Sequence, residues 1–233
     1  MNYMLTDEAL TVVGGLAFVF IFLSLWVGQT AIPRDDLPGF KQAGLALQLS
    51  GTKEKIEKII GPQNSHDRAQ LRAGINRDFA LILSYASFFV SLGLLLSQTN
   101  TSGAKWLGFA SVIVILGAAA FDMVENYRSL QILSLPNSSI TDPLCSALRH
   151  VSILKWLFLF LAIAFQSVIL IKLMNWYSII GLGLIINALA GIAALRFTQL
   201  FLYAVPGFGL FVLVLGIILV AAPQHFLAHV NVP

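Results

Sequence analysis

Charge is what this sequence has least of. Asp, Glu, Lys and Arg together make up only 11% of its 233 residues, where a soluble domain carries roughly 25%. There is one cysteine, Cys145, which excludes an internal disulfide and a cysteine-based metal cluster. No basic run with interleaved aromatics exists, so the pI near 9.1 does not point to nucleic acid. No nucleophile elbow, H-E-x-x-H, P-loop or Gly-rich nucleotide turn is present either. A basic n-region and an A-x-A-like site are also missing, so the first apolar run is expected to be retained rather than cleaved.

What the sequence does have is hydrocarbon. Hydrophobic residues make up 58% of the chain, and the mean hydropathy is +0.84. Six apolar runs approach or exceed the about 17–25 residues that a span needs, roughly 11–28, 79–97, 105–123, 151–173, 177–197 and 200–222. The expected fold is therefore all-α: a polytopic transmembrane bundle of about six helices, forming one membrane domain over 1–233. The fifth and sixth runs form a tight hairpin, and Pro206-Gly207 is expected to kink the last. Small residues of the fifth (Gly181, Gly183, Ala188, Ala190, Gly191, Ala193) suggest close helix contact.

The cations set an orientation. With the N-terminus outside, twelve fall on the cytoplasmic side: Arg34, Lys41, Lys53, Lys55, Lys58, Arg68, Arg72, Arg77, Arg128, Arg149, Lys155 and Arg196. Only Lys105 and Lys172 fall outside. This bias predicts both termini outside and the 29–78 loop in the cytoplasm. Trp26 and Trp156 then mark inner span ends, and Trp106 and Trp176 outer ones.

Within the 29–78 loop, Leu45, Leu47 and Leu49 alternate with Ala46 and Gln48, the period of a short strand. Ser50 or Thr52 can cap a helix of about two turns whose Ile56, Ile59 and Ile60 share one face, and Gly61-Pro62 stops it. So short a helix needs a surface to rest on. The expectation is a small cytoplasmic cap, one short strand plus one short amphipathic helix, folded back on the bundle.

The polar groups gather at one depth. Asp122, Glu125 and Asn126 recur at i, i+3 and i+4 and share a helix face at the end of the third run. Asp78 opens the second span, Tyr85 lies two turns deeper on nearly the same face, and Lys155 begins the fourth. Three carboxylates so close need cations nearby, and Lys155, Arg128, Arg77, Arg149 and His150 can supply them. The candidate site is thus Asp78, Tyr85, Asp122, Glu125, Asn126, Arg128 and Lys155. It reads first as a structural ion-pair network; the alternatives are a divalent-cation or lipid-headgroup site, an acid–base pair, or part of an ion path. Gln166 and Asn187, mid-span, are expected to hydrogen-bond across helices. His225 and His229, at i and i+4, lack a third metal ligand and are expected to end the last span.

The order Ser50-x-Thr52, Ile59-Ile60-Gly61, Arg77-Asp78-Phe79, Tyr85, Phe121-Asp122-x-x-Glu125-Asn126 and Lys155-Trp156 resembles a loose group of uncharacterised bacterial polytopic membrane proteins. It covers about 45–156, and the D-x-x-E-N step is its most specific part. The resemblance brings no activity, but implies that Asp78, Asp122, Glu125, Asn126 and Lys155 act as one unit in a bacterial inner (plasma) membrane. The leading expectation is a non-enzymatic accessory or scaffold factor without a dedicated cofactor. Its partners would be membrane lipids, a second copy or another membrane protein. The rival is a membrane enzyme or binding protein for a lipid headgroup or cation; the third class is a transporter or channel.

Overall fold

All six apolar runs are helices, and three of them continue well past the hydrocarbon. The computed structural model describes residues 6–33, 42–173 and 175–228. The helices long and apolar enough to cross a membrane are α1 (Asp7–Gly28), α4 (His66–Ser97), α5 (Ala104–Ser134), α6 (Asp142–Lys172), α7 (Asn175–Ala194) and α8 (Phe201–Ala221). This is the architecture of an integral membrane protein. Between α1 and α4 lie α2 (Ala43–Leu49) and α3 (Lys53–Ile60), and a short α9 (Pro223–Leu227) follows α8. His225 lies on α9, but its side chain and all of His229 fall outside the described residues, as do Arg34 and Lys41.

Each spanning helix packs against the next in sequence, and α8 returns to α1, so the six close a ring. Small residues permit the closure. A Cβ on Gly14 would stand 2.9 Å from the Gly216 carbonyl oxygen, and one on Gly216 would stand 2.8 Å from Ala17 Cβ. Without a hydrophobic drive between helices in lipid, such close backbone approach supplies the dispersion contact that holds them. The fifth span's small residues serve as expected: Gly183 makes room for the Phe211 ring and Gly191 for that of Phe160. Inside the ring, Phe20, Phe88, Phe89 and Phe208 join α1, α4 and α8, with ring centroids 4.7–6.4 Å apart. Gln166 of α6 donates to the Phe89 carbonyl at 2.8 Å and to Ser111 at 3.2 Å, tying α6 to α4 and α5. Asn187 of α7 donates to the Ala204 carbonyl of α8 at 2.8 Å, two residues before Pro206, which lies inside that helix. Both mid-span amides therefore cross helices as expected.

At 32 residues, α4 is about 48 Å long by its rise, against a hydrocarbon thickness of about 30 Å. Its first turns, the last turns of α5 and the first turns of α6 carry a second apolar core. Ile56, Ile59 and Ile60 of α3 are buried there against Leu71, Ile132, Ile140 and Leu148. The helices therefore run past the ends of the apolar runs. Asp78 does not open a helix, Asp122, Glu125 and Asn126 do not close one, and Lys155 does not begin one; each lies inside a long helix. The extensions have local causes. Ser65 Oγ accepts from the Arg68 backbone N–H at the start of α4, α5 ends before Pro136, and α6 begins at Asp142-Pro143.

The expected strand is also corrected: residues 43–49 form α2, and no strand occurs among the described residues. Ala and Leu are strong helix formers, the segment has no β-branched residue, and no neighbouring strand offers a ladder. Its buried residues, Ala43, Ala46, Leu47 and Leu49, follow helical rather than alternate spacing. Thr52 stands at the N-cap of α3 but makes no side-chain cap bond; Asp142 of α6 accepts the Lys53 N–H at 2.7 Å instead. At the other end Gly61 stops α3 with φ +66°.

Arg68, only 3% exposed, clasps that end. Its Nη1 donates to the carbonyls of Leu133 (3.2 Å) and Leu135 (2.7 Å), and its Nη2 to Gly61 (3.4 Å) and to Asn137 Oδ1. One guanidinium thus satisfies the orphan carbonyls ending both α5 and α3. Ile59→Asp, which puts a carboxylate in the second core, and Arg68→Met, which frees the carbonyls, should each weaken this layer by on the order of 2–4 kcal/mol. Limited trypsin digestion should show faster cleavage between Lys53 and Arg72 in both variants. Cleavage at the wild-type rate would mean that α3 is not held there.

Candidate functional site

The polar constellation sits where the two cores meet. From α6, Lys155 Nζ donates to Glu125 Oε1 at 2.8 Å and to Asp122 Oδ1 at 3.1 Å, both on α5. From α4, the Tyr85 hydroxyl donates to Asp122 Oδ2 at 3.0 Å. Both oxygens of Asp122 are therefore occupied. The trio is sealed: Glu125 is 0%, Lys155 5% and Asp122 6% exposed. One further acceptor, Glu125 Oε2, is buried without a hydrogen-bond partner among the described residues. Ser152, one turn before Lys155, is fully buried nearby but turns its hydroxyl to the Leu148 carbonyl at 3.0 Å.

Asn126, one turn beyond Asp122, reaches back to α4, where its Nδ2 donates to Asp78 Oδ2 at 2.8 Å. So Tyr85, Asp122, Glu125 and Lys155 form one network, and Asp78 with Asn126 forms an adjoining pair. The helical spacing of Asp122, Glu125 and Asn126 accounts for both, because α5 lies between α4 and α6 and shows one polar edge to each.

The other nominated cations go elsewhere. Arg77 donates to the Trp26 carbonyl of α1 at 3.3 Å and lies 4.9 Å from the centroid of that indole. Arg149 lies along Gly51, and His150 Nδ1 meets the carbonyl of Ser146 at 2.7 Å. Arg128 is half-buried, and its Nε has no hydrogen-bond partner among the described residues. It is the one nominated site residue that the structure leaves outside the constellation. Which neighbour each of these side chains meets depends on how the helices pack, and spacing within one helix does not reveal that. Trp156 departs from the expected interfacial belt. Its ring packs inward on Phe160 and Phe201, 5.6 and 5.1 Å between centroids, whereas Trp106 and Trp176 are highly exposed. Lys172 and Lys105 share the opposite end of the bundle, where Lys172 Nζ donates to the Ser102 carbonyl at 2.8 Å.

Beside the sealed trio, under α2, lies a cavity of about 310 Å³. Val27, Leu45, Ile75, Phe201 and Val205 make much of its wall, with Asp78, Asn126, Ser129 and Trp156 on the side of the network. The phenylalanine cluster lies deeper along the bundle. Sequence reasoning missed this cavity, because it needs α2 as a roof. It also missed Arg68, for which the only signal is an arginine three residues after a serine N-cap. Among the described residues no group of three His, Cys, Asp or Glu side chains is arranged to hold a metal ion. Comparison with family models, curated proteins and solved structures finds no match.

The geometry predicts coupled energetics. Lys155→Met strands two adjacent buried carboxyl groups and should cost about 3–5 kcal/mol. Glu125→Gln should cost less, since its amide oxygen still accepts from Lys155. The Glu125→Gln/Lys155→Met double variant should recover at least about 1 kcal/mol relative to the sum. Chemical unfolding in detergent measures all three, and additive single effects would mean that the contacts carry no coupling.

Proposed function

We propose that this is a non-enzymatic accessory protein of the plasma membrane, with the α2–α3 layer in the cytoplasm and both termini outside. The observation that carries this reading is the sealing of the most polar centre. Lys155, Asp122 and Glu125 spend their hydrogen bonds on one another and on Tyr85, and no substrate reaches them without unpacking α4, α5 and α6. An acid–base pair at work needs its proton-transfer atom within reach of a reactant. The same sealing supports a structural role, since a buried triad of this kind fixes the register of three helices.

Transport draws less support. The Phe20–Phe88–Phe89–Phe208 cluster occupies the bundle between the cavity and the opposite end, where a path would need polar groups. The orientation follows from twelve cations against two, and six spans return both termini to one side.

Two measurements test the proposal. In a Cys145→Ala background, Lys58→Cys should label from the cytoplasmic side of oriented vesicles and Lys105→Cys from the other. The Glu125→Gln/Lys155→Met variant, if it folds, should complement a deletion strain as fully as the wild type. Loss of complementation by a variant of unchanged stability would mean that the pair does chemistry.

A further inference from the structure

We propose that the cavity beneath α2 binds an amphiphilic amine, a protonated amino group on a short apolar body, with Asp78 as its counter-ion. The inference does not depend on the accessory reading or on which side of the membrane α2 faces.

Charge decides the ligand class. Among the described lining residues Asp78 is the single ionisable one, and the rest are apolar or neutral. A carboxylate in such surroundings is costly unless a cation answers it. The neighbouring cations do not touch it: Lys155 acts on Asp78 only at a distance, its contacts being with Asp122 and Glu125, and Arg77 is turned to Trp26. Asp78 accepts a single hydrogen bond among the described residues, from Asn126 to Oδ2, and it is half-buried rather than sealed. The seam as a whole sets three carboxyl groups against one ammonium. A ligand that supplies a positive charge at Asp78 corrects that imbalance. An anionic headgroup would worsen it, because no cation among the described residues lines the wall.

Shape decides the remainder. The cavity is at the small end of the range for ligand pockets. Ile75, Leu45, Phe201 and Val205 offer apolar surface to a chain of several carbons. Phosphatidylethanolamine carries the same amino group and is a second source of it.

The test uses the full-length protein in phosphatidylcholine nanodiscs and three probes with one tail: octylamine, octanol and octanoate. Octylamine should raise the unfolding temperature saturably, as ligand binding to the folded state requires. Octanol and octanoate should give no saturable rise. Asp78→Asn keeps the shape and should weaken octylamine at least tenfold. Gly44→Leu provides a second variant that does not touch the charged seam. Gly44 lines the cavity, and a Cβ there meets nothing within 4 Å among the described residues, so a leucine side chain starts in open space. It should abolish the octylamine effect at unchanged basal stability. Equal shifts from octylamine and octanoate, or an undiminished octylamine shift in Gly44→Leu, would overturn the proposal. If phosphatidylethanolamine in the nanodisc competes with octylamine, the same site takes its amine from a lipid; if not, from a free amphiphile.

Discussion

A single ammonium group, 2.8 and 3.1 Å from two buried carboxylates, fixes how this bundle is assembled. In lipid, helices gain nothing from hydrophobic association as such, and apolar faces slide past one another at little cost. A buried charge does not slide. Moving α6 along α5 by one residue would carry Lys155 out of reach of Glu125 or Asp122 and leave charge unpaired in a dry seam, where removing one partner costs about 3–5 kcal/mol. Tyr85 extends the same restraint to α4. Three helices are thereby set in register by four side chains, and the small residues that close α1 on α8 need only tolerate the result.

The chain meets two environments and uses a different cation in each. Lys155, in the seam, is answered by carboxylates. Arg68, in the second core, is answered by backbone carbonyls and an amide oxygen, the exposed ends of α5 and α3. A planar guanidinium with several fixed donors suits several neutral acceptors, whereas a compact ammonium suits two carboxylates. Burying both is possible because each has partners in place: helix side chains for Lys155, and helix-end carbonyls with the Asn137 amide oxygen of the α5–α6 connection for Arg68.

Much of this was legible in the residues. Runs of apolar side chains gave the spans, and the i, i+3, i+4 spacing of Asp122, Glu125 and Asn126 placed them on one face of α5, whose two edges meet α4 and α6. Lys155 followed from depth, and Tyr85 from its place two turns beyond Asp78 on nearly the same face. The helix ends were not legible, because hydropathy marks only where hydrocarbon stops, and α4, α5 and α6 continue as helices into a second core. Residues 45–49 misled for a related reason. Leucines at alternate positions fit a strand as well as a short helix buried on two sides, and only the missing ladder separates the two. The fates of Arg77, Arg149 and His150 depend on which neighbour each helix face meets, and sequence spacing carries no such information.

The two small helices are held unequally. Helix α3 is tied at both ends to different spanning helices, at Lys53 N–H by Asp142 of α6 and at Gly61 by Arg68 of α4. Helix α2 has seven residues and no side-chain cap at its N-terminus, and its first N–H is answered by the Ile32 carbonyl at 3.0 Å. A helix that short has no stability of its own. Its position rests on the burial of Ala43, Ala46, Leu47 and Leu49. The roof of the cavity is thus held by apolar packing, while its wall beside Asp78 is held by charge. Loosening the apolar packing opens the space without disturbing the triad, because no bond of the triad passes through α2.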